Sequence, residues 1–229
     1  MQLHAGTSGF SYKEWKGSFY PEKLKNDAML PFYAERFDTV ELNNTFYRLP
    51  NEGTLQQWAA QVPDGFRFSL KASRIITHIK RLKDVGEPVD YLFRVTQALG
   101  PARGPILFGL PPNMKMDLER LHGLLSLIPP GTRAAIEFRH ESWHDDAVFA
   151  ALREHDVALC IAQTDEDETP FVATADWGYL RLRREAYDTA ELKQWKKRIG
   201  GQAWGEAFVY FKHEDAGVGP RLAREFLDL

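Results

Sequence analysis

Cysteine is almost missing: Cys160 stands alone in 229 residues. That excludes an internal disulfide and a multi-cysteine zinc site, and it fits a reducing, cytoplasmic setting. Long hydrophobic runs are missing too. No stretch approaches the roughly 18 apolar residues of a membrane-spanning helix, so no membrane partner is expected. The opening residues, MQLHAGTSGF, lack the charged and apolar regions of a secretion signal. Neither charge dominates. The formal net charge is −3, which exerts no overall pull toward nucleic acid or an anionic membrane. There is no Pro/Gly/Ser-rich linker and no internal sequence repeat, so residues 1–229 read as one domain. The glycine pattern G-x-G-x-x-G of a dinucleotide-binding turn is also absent, since the first strand-like run leads into GTSGF.

What is present is a large apolar fraction in a regular rhythm. Hydrophobic residues make up 44%, aromatics 13% and charged residues 27%, the composition of a soluble chain with a sizeable core. Strand-like runs recur at 3–9, 38–43, 66–71, 105–110, 133–139, 156–161, 178–183 and 207–212. Helical faces lie between most of them. Leu30, Tyr33 and Phe37 follow Asp27. Leu55, Trp58, Ala59 and Val62 follow Thr54. Leu92, Val95 and Leu99 follow Asp90. Asp27, Thr54 and Asp90 are the expected N-caps. Leu118, Leu121 and Leu125, then Val148, Leu152 and His155, then Leu192, Trp195 and Ile199, then Leu222, Phe226 and Leu229 continue the pattern. After the sixth strand, TDEDETPFVATAD has no helical face and reads as an acidic, solvated loop. Alternation of this kind implies parallel strands joined by helices. Eight units predict an α/β fold, a TIM-type (β/α)8 barrel, lean beside a typical barrel of about 250 residues and irregular after its sixth strand. A doubly wound open sheet is the competing topology.

Strand side chains alternate faces. In AAIEFR, Ile136 and Phe138 take the helix-facing side, which turns Glu137 and Arg139 to the barrel axis. By the same parity Glu41 and Asn43, Arg67, Ser69 and Lys71, Tyr179, Arg181 and Arg183, and Tyr210 and Lys212 point inward, with His4, Gly6 and Ser8 on the first strand. Ionised groups inside a barrel must find partners, water or a ligand. Most of these sit at strand C-terminal ends, where barrel enzymes carry their chemistry.

Several segments resemble one family in order along the chain: GTSGFSYKEWKGSFYP, FDTVELNNTFYRLP, FRFSLKASRIITH, LFGLPPN, IEFRHESW, YLRLR and VYFKHEDAGVGPRLA. They look like the YecE-like, DUF72 family. The resemblance runs from about residue 4 to the end and implies a TIM barrel. It brings no function, because the family has none assigned. Two positions depart from the family pattern. Gln163 stands where members usually have Asp after the sixth strand. Arg183-Arg184 stands where many have His-Gly after the seventh-strand arginine, which is expected to make the pocket more cationic.

These residues yield a candidate site. Glu41, Lys71, Glu137 and Arg139 are the catalytic candidates, with a carboxylate moving a proton and Lys71 or Arg139 stabilising negative charge. A desolvated lysine is also a candidate base or Schiff-base nucleophile. Asn43, His140, Arg181, Arg183, Lys212, His213, Tyr12 and Trp15 are the substrate-binding candidates, with Arg181 and Arg183 as an anion clamp. Tyr12, Trp15, Phe46 and Trp143 are expected to pack the mouth. The bland readings are an internal ion-pair network for Glu137 and Arg139, turn chemistry for NNTF, and a pairing of Lys71 with Glu41. Cys160 reads as a buried structural thiol. Ser8 lacks the glycine spacing of a nucleophile loop.

The leading expectation is an enzyme acting on a small phosphorylated or carboxylated molecule. One alternative is a metal-dependent isomerase- or endonuclease-like barrel with Glu41, Glu137 and a histidine, although inward histidines are sparse and no metal ligand set is assigned. Another is a non-catalytic nucleotide or nucleic-acid binder, less favoured, with Trp15, Tyr12 and Phe46 as stacking surfaces. A glycosidase pair of Glu41 and Glu137 needs a set carboxyl separation. No cofactor is specified.

Overall fold

The structure is a computed structural model that describes residues 1–212 and 216–229; the predicted site residue His213 lies outside the described residues. Among those residues, eight parallel strands form one sheet: β1 (Gln2–Thr7), β2 (Thr39–Leu42), β3 (Arg67–Lys71), β4 (Arg103–Gly109), β5 (Ala134–Glu137), β6 (Ala158–Gln163), β7 (Trp177–Leu182) and β8 (Glu206–Phe211). The hydrogen-bonded order is β1-β8-β7-β6-β5-β4-β3-β2. The two ends of that order, β1 and β2, meet at a parallel bridge between Ser8 and Glu41. The fold is therefore a nearly closed (β/α)8 barrel of TIM type. The helices are α1 (Met29–Ala34), α2 (Glu52–Ala59), α3 (Gly86–Thr96), α4 (Leu118–Leu125), α5 (Asp146–Glu154), α6 (Thr189–Gly200) and α7 (Val218–Asp228). The acidic segment between β6 and β7 forms no α-helix. Among the described residues no helix is long and apolar enough to cross a membrane.

The alternating pattern separates the molecule into layers. Val40, Leu42, Phe68, Leu70, Leu180, Leu182, Val209 and Phe211 pack outward into the helices, as do Ile136 on β5 and Phe138 just after it. The barrel interior holds Leu107, Ala135, Ala158, Cys160, Trp177, Tyr179, Phe208 and Tyr210. Small Ala135 and Ala158 make room for large Trp177 and Phe208, the mixture that fills a narrow barrel. Cys160 is buried and unbonded.

The β1–β2 seam closes through side chains more than through a ladder. The Tyr33 hydroxyl donates to the Thr39 carbonyl at 3.0 Å and accepts from the Thr7 N–H at 2.9 Å. A Cβ at Gly6 would lie 2.2 Å from the Thr39 oxygen, so glycine is needed where the two strands approach. At the N-terminal end of the barrel, buried His4 links Asp38 (2.6 Å) and Glu206 (2.9 Å) and stacks on Phe208 with ring centroids 4.7 Å apart.

Three expected helix caps are displaced. Asn51 caps α2 by accepting from the Thr54 N–H, so Thr54 lies inside the first turn. Asp90 is inside α3, which starts at Gly86 because Pro88 is tolerated in a first turn. Asp27 belongs to a short 3₁₀ turn, Asn26–Ala28, and Ala28 precedes α1. Asp117, Asp145 and Asp188 cap α4, α5 and α6, the last with Glu191 in a reciprocal capping box.

Candidate active site

The strand C-terminal ends carry a cluster built around Arg181. This guanidinium, on the inner face of β7, lies between two carboxylates. Its Nη1 donates to Glu137 Oε2 at 2.7 Å and its Nη2 to Glu41 Oε2 at 3.0 Å. Arg181 Nε lies 2.9 Å from Glu41 Oε1, an ion-pair contact whose angle is too bent for a hydrogen bond. Glu41 also accepts from the Ser8 hydroxyl (2.7 Å), the Asn43 amide (3.1 Å) and the Tyr179 hydroxyl (2.9 Å). Glu137 Oε1 meets Arg139 Nε at 3.3 Å and Arg183 Nη1 at 3.4 Å. Five strand ends thus converge: β1 through Ser8, β2 through Glu41, β5 through Glu137, β7 through Tyr179 and Arg181, and β3 through Lys71.

Burial pushes both carboxyls up, and their partners reverse it. The Arg181 charge and the bonds from Ser8, Arg181 and Tyr179 hold Glu41 below its ordinary value. The charges of Arg181, Arg139, Arg183 and Lys71 take Glu137 down to about 2. Both are therefore carboxylates at neutral pH, and neither is poised as a general acid or base there.

Lys71 is the exception to the pairing. It ends β3, points inward and is half-buried. Among the described residues no carboxylate lies within 4.0 Å of its ammonium. Its Nζ sits over the Phe46 ring, 4.8 Å from the centroid. Gly109, at the end of β4, lets it in: a Cβ there would stand 3.3 Å from Glu137 Oε2 and 3.4 Å from Lys71 Cε. Burial lowers the Lys71 pKa, Arg181 and Arg139 add to that, and Glu137 and Glu41 oppose it; the result is about 8.

His78 packs edge-on against the same Phe46 ring at 4.8 Å, with Nδ1 2.9 Å from the Thr77 hydroxyl. Burial and the charges of Lys71, Arg139 and Arg81 hold it below its ordinary value, so it is a neutral imidazole at pH 7. His78 belongs to a π-turn, Ile75–Ile79, followed by positive φ at Arg81, Leu82 and Asp84 (49°, 64° and 51°). Such turns and strained residues concentrate at functional sites.

The other predicted residues distribute unevenly. Asn43 joins the cluster, and its buried Oδ1 has no hydrogen-bond partner among the described residues, nor does Arg183 Nε. Lys212 is half-buried immediately after β8. Tyr12 donates to the Ser8 carbonyl at 2.7 Å. With Gly9, Leu42, Asn43, Asn44 and Trp58 it lines a cavity of about 480 Å³ beside the cluster. His140 accepts from the Ser142 N–H in the turn after β5. Trp15 is fully buried among Tyr12, Phe19 and Tyr20, and Trp143 is buried against Phe138. Neither tryptophan offers a face at the mouth. Arg184 turns to α6, pairing with Glu191 at 2.5 Å and Asp165 at 3.7 Å, so it does not add its charge to the cluster as expected. Gln163 falls on the outer parity of β6. It donates to Glu168 at 2.9 Å and accepts from Trp195 at 3.0 Å.

Inward parity flags the charged members, but three further participants are absent from the predicted site. Tyr179 and Ser8 read as inward without a part in the candidate site, and His78 is not singled out. A histidine soon after an inward lysine was the available signal for the last. Among the described residues, no three His, Cys, Asp or Glu side chains gather into a metal-ligating group. The space between Glu41 and Glu137 is filled by Arg181.

A model of the family described as "Protein of unknown function DUF72" matches residues 4–229. The UPF0759 protein YunF of Bacillus subtilis (strain 168) is 24% identical over 276 residues, covering 99% of this chain and 94% of its own. A DUF72 family protein from Thermotoga maritima MSB8 superposes with a TM-score of 0.85 at 26% identity, covering 100% of this chain and 98% of that one. Another, from Enterococcus faecalis V583, gives 0.80 at 18% identity over 100% and 96% of the two chains, a likeness of fold.

Proposed function

The chain belongs to the DUF72 family, and on that premise we propose that its barrel mouth is an active site for a small anionic substrate, phosphorylated or carboxylated, with Lys71 as the proton-transfer group. One observation carries this reading. Lys71 is half-buried with no carboxylate of the described residues in ion-pair reach, while both acids of the cluster are already shared among Arg181, Arg139 and Arg183. Among the described residues of the cluster, two carboxylates stand against three guanidiniums and an ammonium, a cationic excess. Away from bulk water that excess attracts an anion far more strongly than on an exposed surface.

The division of labour follows from exposure. Arg181 is enclosed and acts as the strut between Glu41 and Glu137. Arg183 and Arg139 keep 20% and 32% of their side-chain surface exposed, so they hold the anion. The buried, unsatisfied Asn43 Oδ1 and Arg183 Nε are polar atoms for a ligand to meet. Lys71, with a pKa of about 8, exchanges a proton near neutrality far more readily than an ordinary lysine. Neutral His78 is the neighbouring imidazole. The carboxylates, deeply ionised, fix the cations and leave the acid–base work to Lys71.

A thermal-shift screen tests the reading. Sugar phosphates, short phosphorylated acids and dicarboxylates are expected to raise the melting temperature, and their uncharged counterparts are not. A ligand at about 100 times its Kd adds roughly 2.7 kcal/mol, which is readily seen. Stabilisation by oligonucleotides alone would transfer the reading to a nucleic-acid binder.

A further inference from the structure

We propose that Lys71 is a carbonyl-trapping nucleophile that forms an imine with an anionic aldehyde or ketone, such as a 2-oxo acid or a carbonyl-bearing phosphate ester. The inference rests on the anion-binding reading above and adds a covalent step to it.

Three features of its surroundings support it. First, among the described residues the amine has no ion-pair partner, and its Nζ sits over the Phe46 face, 4.8 Å from the centroid. A lysine kept for structure at the end of a barrel strand would close an ion pair with Glu41 or Glu137. Both acids instead spend their oxygens on arginines, Ser8, Asn43 and Tyr179. Second, β4 makes room for the lysine to reach inward. Gly109 contributes no side chain where Cε and Nζ of Lys71 pass, 3.4 Å and 4.0 Å from where a Cβ would stand. Third, the groups facing Lys71 are arranged by sign. Glu41 comes from β2, Glu137 from β5 with Arg139 just beyond it, Arg181 from β7, and His78 from the turn after β3. Permanent cations among them disfavour a second positive charge on Lys71 and hold the substrate's anionic group beside it. A lysine desolvated next to other cations is the arrangement that activates an amine toward carbonyls.

The step balances without a redox partner. The Nζ lone pair attacks the carbonyl carbon, the C=O π pair moves to oxygen, and a proton passes from nitrogen to that oxygen to give a carbinolamine. A proton taken up from solvent by the carbinolamine hydroxyl lets it leave as water, the nitrogen lone pair forms the C=N bond, and the hydrogen still on nitrogen makes the product an iminium. Proton removal from the carbon next to it, or cleavage of a bond there, places the electron pair in the iminium. Addition of water returns the carbonyl and the free lysine.

Reductive trapping tests this on the whole protein. The wild type is incubated with pyruvate, dihydroxyacetone phosphate or acetone, each with cyanoborohydride, and adducts are located by peptide mass mapping. The first two are expected to label Lys71 ahead of the surface lysines, with acetone slower by on the order of tenfold because it lacks the anion that the cationic mouth concentrates. Labelling by pyruvate is expected to rise with pH through about 8, where Lys71 loses its proton, and inorganic phosphate is expected to slow it. Labelling spread over exposed lysines, with Lys71 unmodified, overturns the proposal. If phosphate and pyruvate still raise the melting temperature in that case, the anion-binding reading survives and only the covalent step fails. Equal labelling of Lys71 by acetone and pyruvate, with no thermal shift from either anion, overturns the anionic substrate class and with it the reading beneath. Mapping on the wild type needs no variant to fold; Lys71→Arg, which keeps the charge and removes the nucleophile, is expected to abolish the adduct while leaving phosphate stabilisation in place.

Discussion

Arg181 is 2% exposed and carries a carboxylate on either side. Sequence parity placed it inside the barrel beside Arg183 and suggested that the two clamp a ligand together. The structure gives them different work, because the separation of Glu41 and Glu137 across the barrel, which no one-strand pattern encodes, lets a single guanidinium bridge both acids. Removing one member of a buried ionic network leaves uncompensated charge. Arg181→Ala is therefore expected to cost about 3–5 kcal/mol in urea unfolding; a loss below about 1 kcal/mol would be the behaviour of an exposed pair and would contradict the strut. Lys71 is the opposite case. Its folded pKa of about 8 lies below the ordinary 10.5, so folding works against its charge at neutral pH. The unfolded chain binds the extra proton between those values, and wild-type stability should rise with pH across that window. Lys71→Met is accordingly expected to be more stable than wild type at pH 7, with the gain shrinking above pH 8, as befits a residue retained for function at a cost in stability. A Lys71→Met protein less stable than wild type at pH 7 would mark the lysine as structural.

At the scale of elements, the strands were legible and the helix starts were not. Each of the eight strand-like runs overlaps an observed strand, since a strand buried between barrel interior and helix layer declares itself by composition and by period-two alternation. Helix onsets depend on which of several polar residues reaches a free N–H. Asn51 outcompeted Thr54, and α3 began ahead of Asp90. The π-turn after β3 has no sequence signature, so His78 went unnoticed although it belongs to the motif that carries Lys71. The joining of β1, β2 and β8 at the opposite end makes a prediction of its own. Burial alone would lower the His4 pKa, but the bonds and charges of Asp38 and Glu206 outweigh it and lift it from 6.5 to about 9. A raised folded pKa contributes stability that is fully present below pH 6.5 and fades as pH climbs to about 9. Melting temperatures of wild type and His4→Gln should differ most below that window and converge above it. A constant difference across it would show that His4 acts by packing on Phe208 alone.

For the whole molecule, the two barrel ends have separate characters. The N-terminal end is sealed by His4 between Asp38 and Glu206, with Arg133 completing the Glu206 pair. At the C-terminal end the cluster around Arg181 holds, among the described residues, more cations than acids and leaves Lys71 without an ion-pair partner. Barrel architecture followed from counting strands, and the polar end from parity, since both are periodic properties. Which cations are consumed and which are left over depends on distances between strands far apart in sequence, so Arg184 looked like pocket charge until α6 was seen to supply Glu191. The account's central claim is that the leftover charge binds an anion. Isothermal titration of inorganic phosphate and of pyruvate into the wild type and into Arg183→Ala tests it directly. Saturable binding to the wild type, weakening as salt is added and reduced on the order of tenfold or more by Arg183→Ala, is the predicted result. No heat with either anion, or equal affinity in the two proteins, would contradict it.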